Sequence, residues 1–254
     1  RRGYGYEWGR WTGWLARQGI AVPDARTADV LRFLESLRAA GLAPKTCQRA
    51  LAVVRAIYKR MVGTGLLAVN PAREVSGPDH DREPKTPWVP VDGIAAILAL
   101  PTEGAHDQRN RIVLLLLVAT GLRRRDVARM QVEDRCVLVT GAPAVRVITK
   151  GEKLGIIGLS PRVAAALDRY LAASGIVSGA VFPGPDGRPI SAWQVWRIVK
   201  DAAKRAGVDP KGVTPHALRR SFNTLAKQAG VPIEFRQAAM LHSSATTTEL
   251  YDKA

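Results

Sequence analysis

Apolar positions in the first 75 residues recur with helical spacing. Trp8, Trp11, Trp14 and Leu15 fall at i, i+3, i+6 and i+7, one face of a helix. Tryptophan supplies so much buried area that this stripe reads as core packing. A second helix is expected after Thr27 as N-cap, with Val30, Leu31, Phe33, Leu34 and Leu37 on its apolar face and Gly41 at its end. A third is expected from Pro44, a good first helical residue, with Cys47, Leu51, Val54, Ile57 and Met61 inward. The region is expected to be all helix.

Beyond residue 86 the period changes. Residues 107–119 are rich in Leu and Val and read as a buried helix, broken at Gly121 and resumed over 123–130. Residues 137–140, 145–149 and 154–159 have strand character, separated by turn-forming stretches at 141–144 and 150–153. Helices are expected at about 161–173, 191–206, 216–229 and 233–241. Helices around a small antiparallel sheet make this part an α+β domain.

Composition adds a partner class. The 254 residues carry 38 Lys plus Arg against 22 Asp plus Glu, a net charge of +16, while 46% of residues are hydrophobic. A folded body with this charge points to a polyanion, most often nucleic acid. Residues 1–75 carry a net +8, residues 87–254 a net +9, and residues 76–86 a net −1. The middle stretch holds Pro78 and Pro84 and lacks apolar periodicity, so it reads as a linker between two basic domains that grip one duplex. On the third helix, Lys45, Gln48, Arg55 and Lys59 form a polar stripe. With Arg49 beside it, this stripe is a candidate phosphate-binding face as well as an ordinary solvated one. The longest apolar run, 112–119, falls far short of the roughly 18 residues a membrane span needs, so no membrane partner is expected. Cys47 and Cys136 have no ligand-like spacing. They are expected to be buried free thiols, in keeping with a reducing cytoplasm. No Cys/His cluster or glycine-rich phosphate loop is present, and carboxylates are scattered, so neither a metal nor another cofactor is expected. The chain opens on Arg1 rather than Met, as expected of a trimmed product.

Four stretches carry candidate chemistry: 119–126 (A-T-G-L-R-R-R-D), 148–153 (I-T-K-G-E-K), 216–222 (H-A-L-R-R-S-F) and 240–251 (M-L-H-S-S-A-T-T-T-E-L-Y). Each alone has an ordinary structural explanation. Together they hold two arginines, a lysine, two histidines and a tyrosine, a set suited to attack on a phosphodiester. Arg123 and Arg219 offer planar forks for the non-bridging oxygens, and Asp126 could hold one of them. His216, three residues before Arg219 on a helix face, and His242 can donate hydrogen bonds and move protons near neutral pH. Tyr251 can attack phosphorus, and Lys150, on a turn, can protonate the leaving oxygen.

These stretches resemble those of the tyrosine recombinases, the phage-integrase family, and the match in order and spacing spans nearly the whole chain. The resemblance implies that Arg123, Lys150, His216, Arg219 and His242 are catalytic and that Tyr251 is the nucleophile, with Asp126 in a supporting role. It implies a helical core-binding domain over 1–75, a linker over 76–86 and a catalytic domain over 87–254, forming a C-shaped clamp on duplex DNA. One strand would be held as a 3′-phosphotyrosyl ester, with neither ATP nor metal required. Inverted half-sites, a tetramer on two DNA sites, a monomer or weak dimer when free, and a cytoplasmic, nucleoid-associated location complete the expectation.

Four departures stand out. Leu241 occupies the usual glycine before the histidine, Asp126 replaces the more usual Glu, and Thr149 replaces a glycine. The chain stops at Ala254, where many relatives continue into a segment that docks on a neighbour. A type IB topoisomerase would share the chemistry, but such enzymes more often carry Lys where His216 stands. A non-catalytic DNA-binding protein would not need all six residues in register.

Overall fold

The computed structural model describes residues 2–79, 88–148 and 154–241. The chain divides into two compact units, Arg1–Arg82 and Glu83–Ala254.

The first unit is built on three helices, α1 (Arg2–Arg17), α2 (Thr27–Ala39) and α3 (Pro44–Gly63). The tryptophan face of α1 is core. Trp11 is fully buried, stacks on Trp14 at 5.7 Å and meets the edge of Phe33 at 5.1 Å. Its indole N–H donates to the Tyr58 hydroxyl at 3.3 Å, and that hydroxyl donates to the Val22 carbonyl at 2.8 Å. Burial pushes the Tyr58 phenol above its ordinary pKa, so it stays a neutral donor. Tyr58, not only the aliphatic residues beside it, fills the inner face of α3. Thr27 is the first helical residue of α2 rather than its cap. The Asp29 carboxylate reaches back instead to the Arg26 backbone N–H at 2.8 Å and satisfies that end.

The second unit contains α4 (Val91–Leu98), α5 (Ala105–Thr120), α6 (Arg124–Arg129), α7 (Pro161–Ser174), α8 (Ala192–Arg205), α9 (Pro215–Gln228) and α10 (Ile233–Met240). A three-stranded antiparallel sheet lies between α6 and α7 in sequence: β1 (Arg135–Val137), β2 (Pro143–Ile148) and β3 (Leu154–Gly158), in that order. The α5 helix runs through the centre, against α4, α6, α7, α8 and α9. Its Val113, Leu116 and Leu117 are fully buried, which explains the apolar run over 112–119 in its second half. From the sheet, Val145, Val147 and Ile157 enter the same core. The Ser221 hydroxyl of α9 donates to the Val89 carbonyl at 2.9 Å and accepts the Val89 N–H at 2.7 Å, pinning the approach to α4.

Three expectations are corrected. The first strand spans 135–137 and not 137–140, because 138–142 form a tight turn. There Leu138 N–H bonds Ala142 O, Gly141 N–H bonds Leu138 O, and Gly141 takes a φ of 80°. Cys136 sits on that edge strand and is only partly buried, whereas Cys47 is fully buried. The short helix α4 adds an element that the apolar periodicity did not predict.

Candidate active site

The site begins at a bend. At the end of α5 the Thr120 hydroxyl donates to the Leu116 carbonyl at 2.6 Å and accepts the Leu122 N–H at 3.2 Å. Gly121 closes the helix in the left-handed region, with φ 62°. A Cβ there would lie 2.7 Å from Cδ1 of Phe222 on α9, so the position requires glycine for both conformation and space. The bend buries Leu122 and turns Arg123 outward, leaving its side chain 42% exposed.

Asp126 lies one turn on, at the start of α6. Its Oδ2 is buried, lies 3.9 Å from Arg123 Nη1, and has no hydrogen-bond partner among the described residues. Burial raises its pKa above the ordinary carboxylate value, against the opposing pull of Arg123 and, more weakly, Arg219 and Arg125. Asp126 thus lies buried beside Arg123, where its charged form is disfavoured.

The first turn of α9 faces this bend. Thr214 caps it by accepting the Ala217 N–H at 3.0 Å, and Pro215 takes the first helical position. His216 is exposed, while Arg219, one turn along the same face, is 4% exposed; Leu218 points into the core. The Arg219 guanidinium donates through Nη1 to the Gly121 carbonyl and through Nη2 to the Met240 carbonyl. One side chain thus ties the α5–α6 bend, the α9 helix and the end of α10 together. Lys150, His242 and Tyr251 lie outside the described residues.

Sequence reasoning did not single out the support behind these groups. Arg236 of α10 is 5% exposed; it donates through Nη1 to Asn223 Oδ1 of α9 at 3.1 Å and through Nε to the Val231 carbonyl at 3.0 Å. Charged residues on short helices carry no sequence mark that separates buried from exposed. Leu241 adopts φ 50° and ψ 46°, the one positive-φ residue other than glycine among the described residues. The departure from glycine at this position was the available signal.

In the first unit, three of the five candidate DNA contacts have internal partners. Arg55 donates to the Ala72 carbonyl through Nε at 2.9 Å and to the Val75 carbonyl through Nη2. Arg49 pairs with the fully buried carboxylate of Glu7 through Nε at 2.9 Å, and Gln48 donates to the Pro78 carbonyl at 2.8 Å. Lys45 and Lys59 are exposed, and Arg49 is exposed as well despite its pairing with Glu7. Among the described residues, no three His, Cys, Asp or Glu side chains cluster as metal ligands, and no helix is long and apolar enough to cross a membrane.

A family model described as the phage integrase family matches residues 87–254. The chain belongs to that family. The tyrosine recombinase XerD of Mycobacterium tuberculosis (strain CDC 1551 / Oshkosh) is 31% identical to it over 263 aligned positions, covering 95% of this chain and 83% of that protein. Among solved structures, the XerH site-specific recombinase bound to palindromic difH substrate, a post-cleavage complex, superposes with a TM-score of 0.81 at 17% identity. It covers 99% of this chain and 75% of the other. A lambda integrase tetramer bound to a Holliday junction gives a TM-score of 0.67 at 18% identity, over 93% of this chain and 68% of the other. The mostly helical fold with its small antiparallel sheet is the fold of these structures. Membership makes the protein a tyrosine recombinase, an enzyme of site-specific DNA recombination.

Proposed function

We propose that Tyr251 attacks one phosphodiester of a duplex site held by Arg123, Arg219, His216 and His242, while Lys150 protonates the departing 5′-oxygen. The observation that carries this reading is the placement of Arg219. Its bonds to the Gly121 and Met240 carbonyls set the H-A-L-R helix beside the bend that presents Arg123 and beside the residues that lead to His242. Two guanidinium groups at one locus stabilise the charge that develops on the non-bridging oxygens. The phosphorus–oxygen bond to the departing 5′-oxygen breaks as the bond to the tyrosyl oxygen forms. A 5′-hydroxyl of the partner strand then reverses the step, so the energy stays in the ester and no ATP is consumed. Asp126 supports Arg123.

The helical unit over 1–75 serves as a core-binding domain, joined by a linker over 76–86 to the catalytic domain over 87–254. The DNA partner carries inverted half-sites, in keeping with the palindromic substrate of the XerH complex. Four protomers act on two sites, in keeping with the lambda integrase tetramer on a junction. The protein works in the cytoplasm on nucleoid DNA.

A nicked suicide duplex carrying the target site tests the reading. Wild type is expected to accumulate a covalent protein–DNA adduct, and Tyr251→Phe to lose it while binding DNA as before. An adduct that persists in Tyr251→Phe overturns the assignment. Relaxation of supercoils without strand exchange would instead favour topoisomerase chemistry.

A further inference from the structure

The end of α10 and the second residue of β3 interlock. Leu241 holds a left-handed backbone that a branched L side chain adopts only when its surroundings impose it. What it meets is Gly155. A Cβ built on Gly155 would lie 2.7 Å from both Cδ1 and Cδ2 of Leu241, so the leucine tip occupies the space that any other residue at 155 would fill. Gly155 pairs with Val147 across the β2–β3 ladder, and Leu241 packs against the main core of the second unit. The contact therefore joins the sheet to the helix end along a line that is fixed on both sides.

The chain order gives this contact its consequence. Leu241 directly precedes His242, and Gly155 follows Lys150 by five residues. The Met240 carbonyl, one residue before Leu241, accepts from Arg219. Glycine at 241 would take the same backbone conformation at no steric penalty, so the leucine is explained by its side chain and not by its backbone.

We propose that Leu241 and Gly155 form a brace that sets the end of α10 against β3. Leu241 is then a positioning residue for strand cleavage, acting through the segments that carry Lys150 and His242. The inference rests on the catalytic assignment above.

The test uses the full chain, saturating nicked suicide duplex and single-turnover adduct formation. Leu241→Gly keeps the left-handed turn and loses the brace. It is expected to bind DNA as wild type does, yet to cleave at least about tenfold more slowly at a temperature where its melting curve shows it fully folded, since small misplacements of reacting groups cost rate steeply. Leu241→Met restores an apolar tip of similar volume and is expected to cleave within about threefold of wild type. Gly155→Ala is expected to be slow as well, and Gly155→Ala combined with Leu241→Ala to cleave faster than Gly155→Ala alone, because the second change vacates the space the first needs. Wild-type cleavage by Leu241→Gly, or no recovery in the double variant, overturns the brace. An adduct that survives Tyr251→Phe would instead overturn the catalytic assignment.

Discussion

Replacing Gly121 with alanine tests how the site is assembled. Two costs follow from the structure. The first is conformational: Gly121 sits at φ 62°, and a left-handed backbone costs an L residue about 1–2 kcal/mol. The second is steric. The new methyl would lie 2.7 Å from Phe222 Cδ1 and 3.1 Å from Cγ, deep inside contact distance, and the ring belongs to α9. Forcing a methyl group into packed surroundings costs about 1–3 kcal/mol. Together Gly121→Ala should destabilise the second unit by about 2–5 kcal/mol, which lowers the melting temperature of a unit this size by roughly 4–20 °C. Calorimetry of the full chain is the suitable assay, because two units need not melt together and only the second transition should move.

Phe222→Ala separates the two terms. Without the ring the steric part disappears and only the backbone part remains, so Gly121→Ala should cost about 1–3 kcal/mol less in the Phe222→Ala background. Cleavage should fall further than stability accounts for, because the Gly121 carbonyl orients Arg219. A Gly121→Ala protein within about 0.5 kcal/mol of wild type, or one with the same cost in both backgrounds, would refute this account of the bend.

Asp126→Asn should slow cleavage by weakening the hold on Arg123, yet melt at or above wild type at pH 7. Burial raises the Asp126 pKa, so the ionised form penalises the fold above that pKa, and the penalty fades as the pH falls through it. The stability gap between variant and wild type should therefore close on acidification in paired melts, and a variant that melts well below wild type at pH 7 counts against this. Arg55→Ala should destabilise the first unit by about 2–3 kcal/mol, since it removes charged hydrogen bonds to two carbonyls, and leave the salt dependence of DNA binding unchanged. Lys45→Ala should do the reverse, holding the melting temperature and lowering the salt slope by about one. Exchange of those two phenotypes in titrations across salt would return that helix face to a different role.

The sequence carried the chemistry more legibly than its support. The order of Arg123, His216 and Arg219 was readable because phosphodiester chemistry needs those side chains, and their helices follow from apolar periodicity and from Thr214 and Pro215. Lys150, His242 and Tyr251 are proposed on the same grounds and lie outside the described residues. The short helix α4 was missed because eight residues with Gly93 among them give too few turns for a period to show. The first strand was placed too late because Val139 and Thr140 have strand propensity that the turn closed by Gly141 overrides, leaving Val139 fully exposed. On α3 the basic stripe was visible, but spacing cannot distinguish an arginine that reaches back to carbonyls from a lysine that faces solvent. Arg55 does the first and Lys45 the second.

The way the arginines are held bears on what they can do. Arg219 is oriented by the carbonyls of Gly121 and Met240, both ends of helices and both neutral acceptors, so these bonds fix its direction while leaving its formal charge intact. Helix C-terminal carbonyls also carry partial negative charge, which favours a cation placed there. The bend at Gly121 and the turn at Leu241 supply those carbonyl directions. The backbone at these two positions therefore sets the direction of Arg219 on which the proposed chemistry depends.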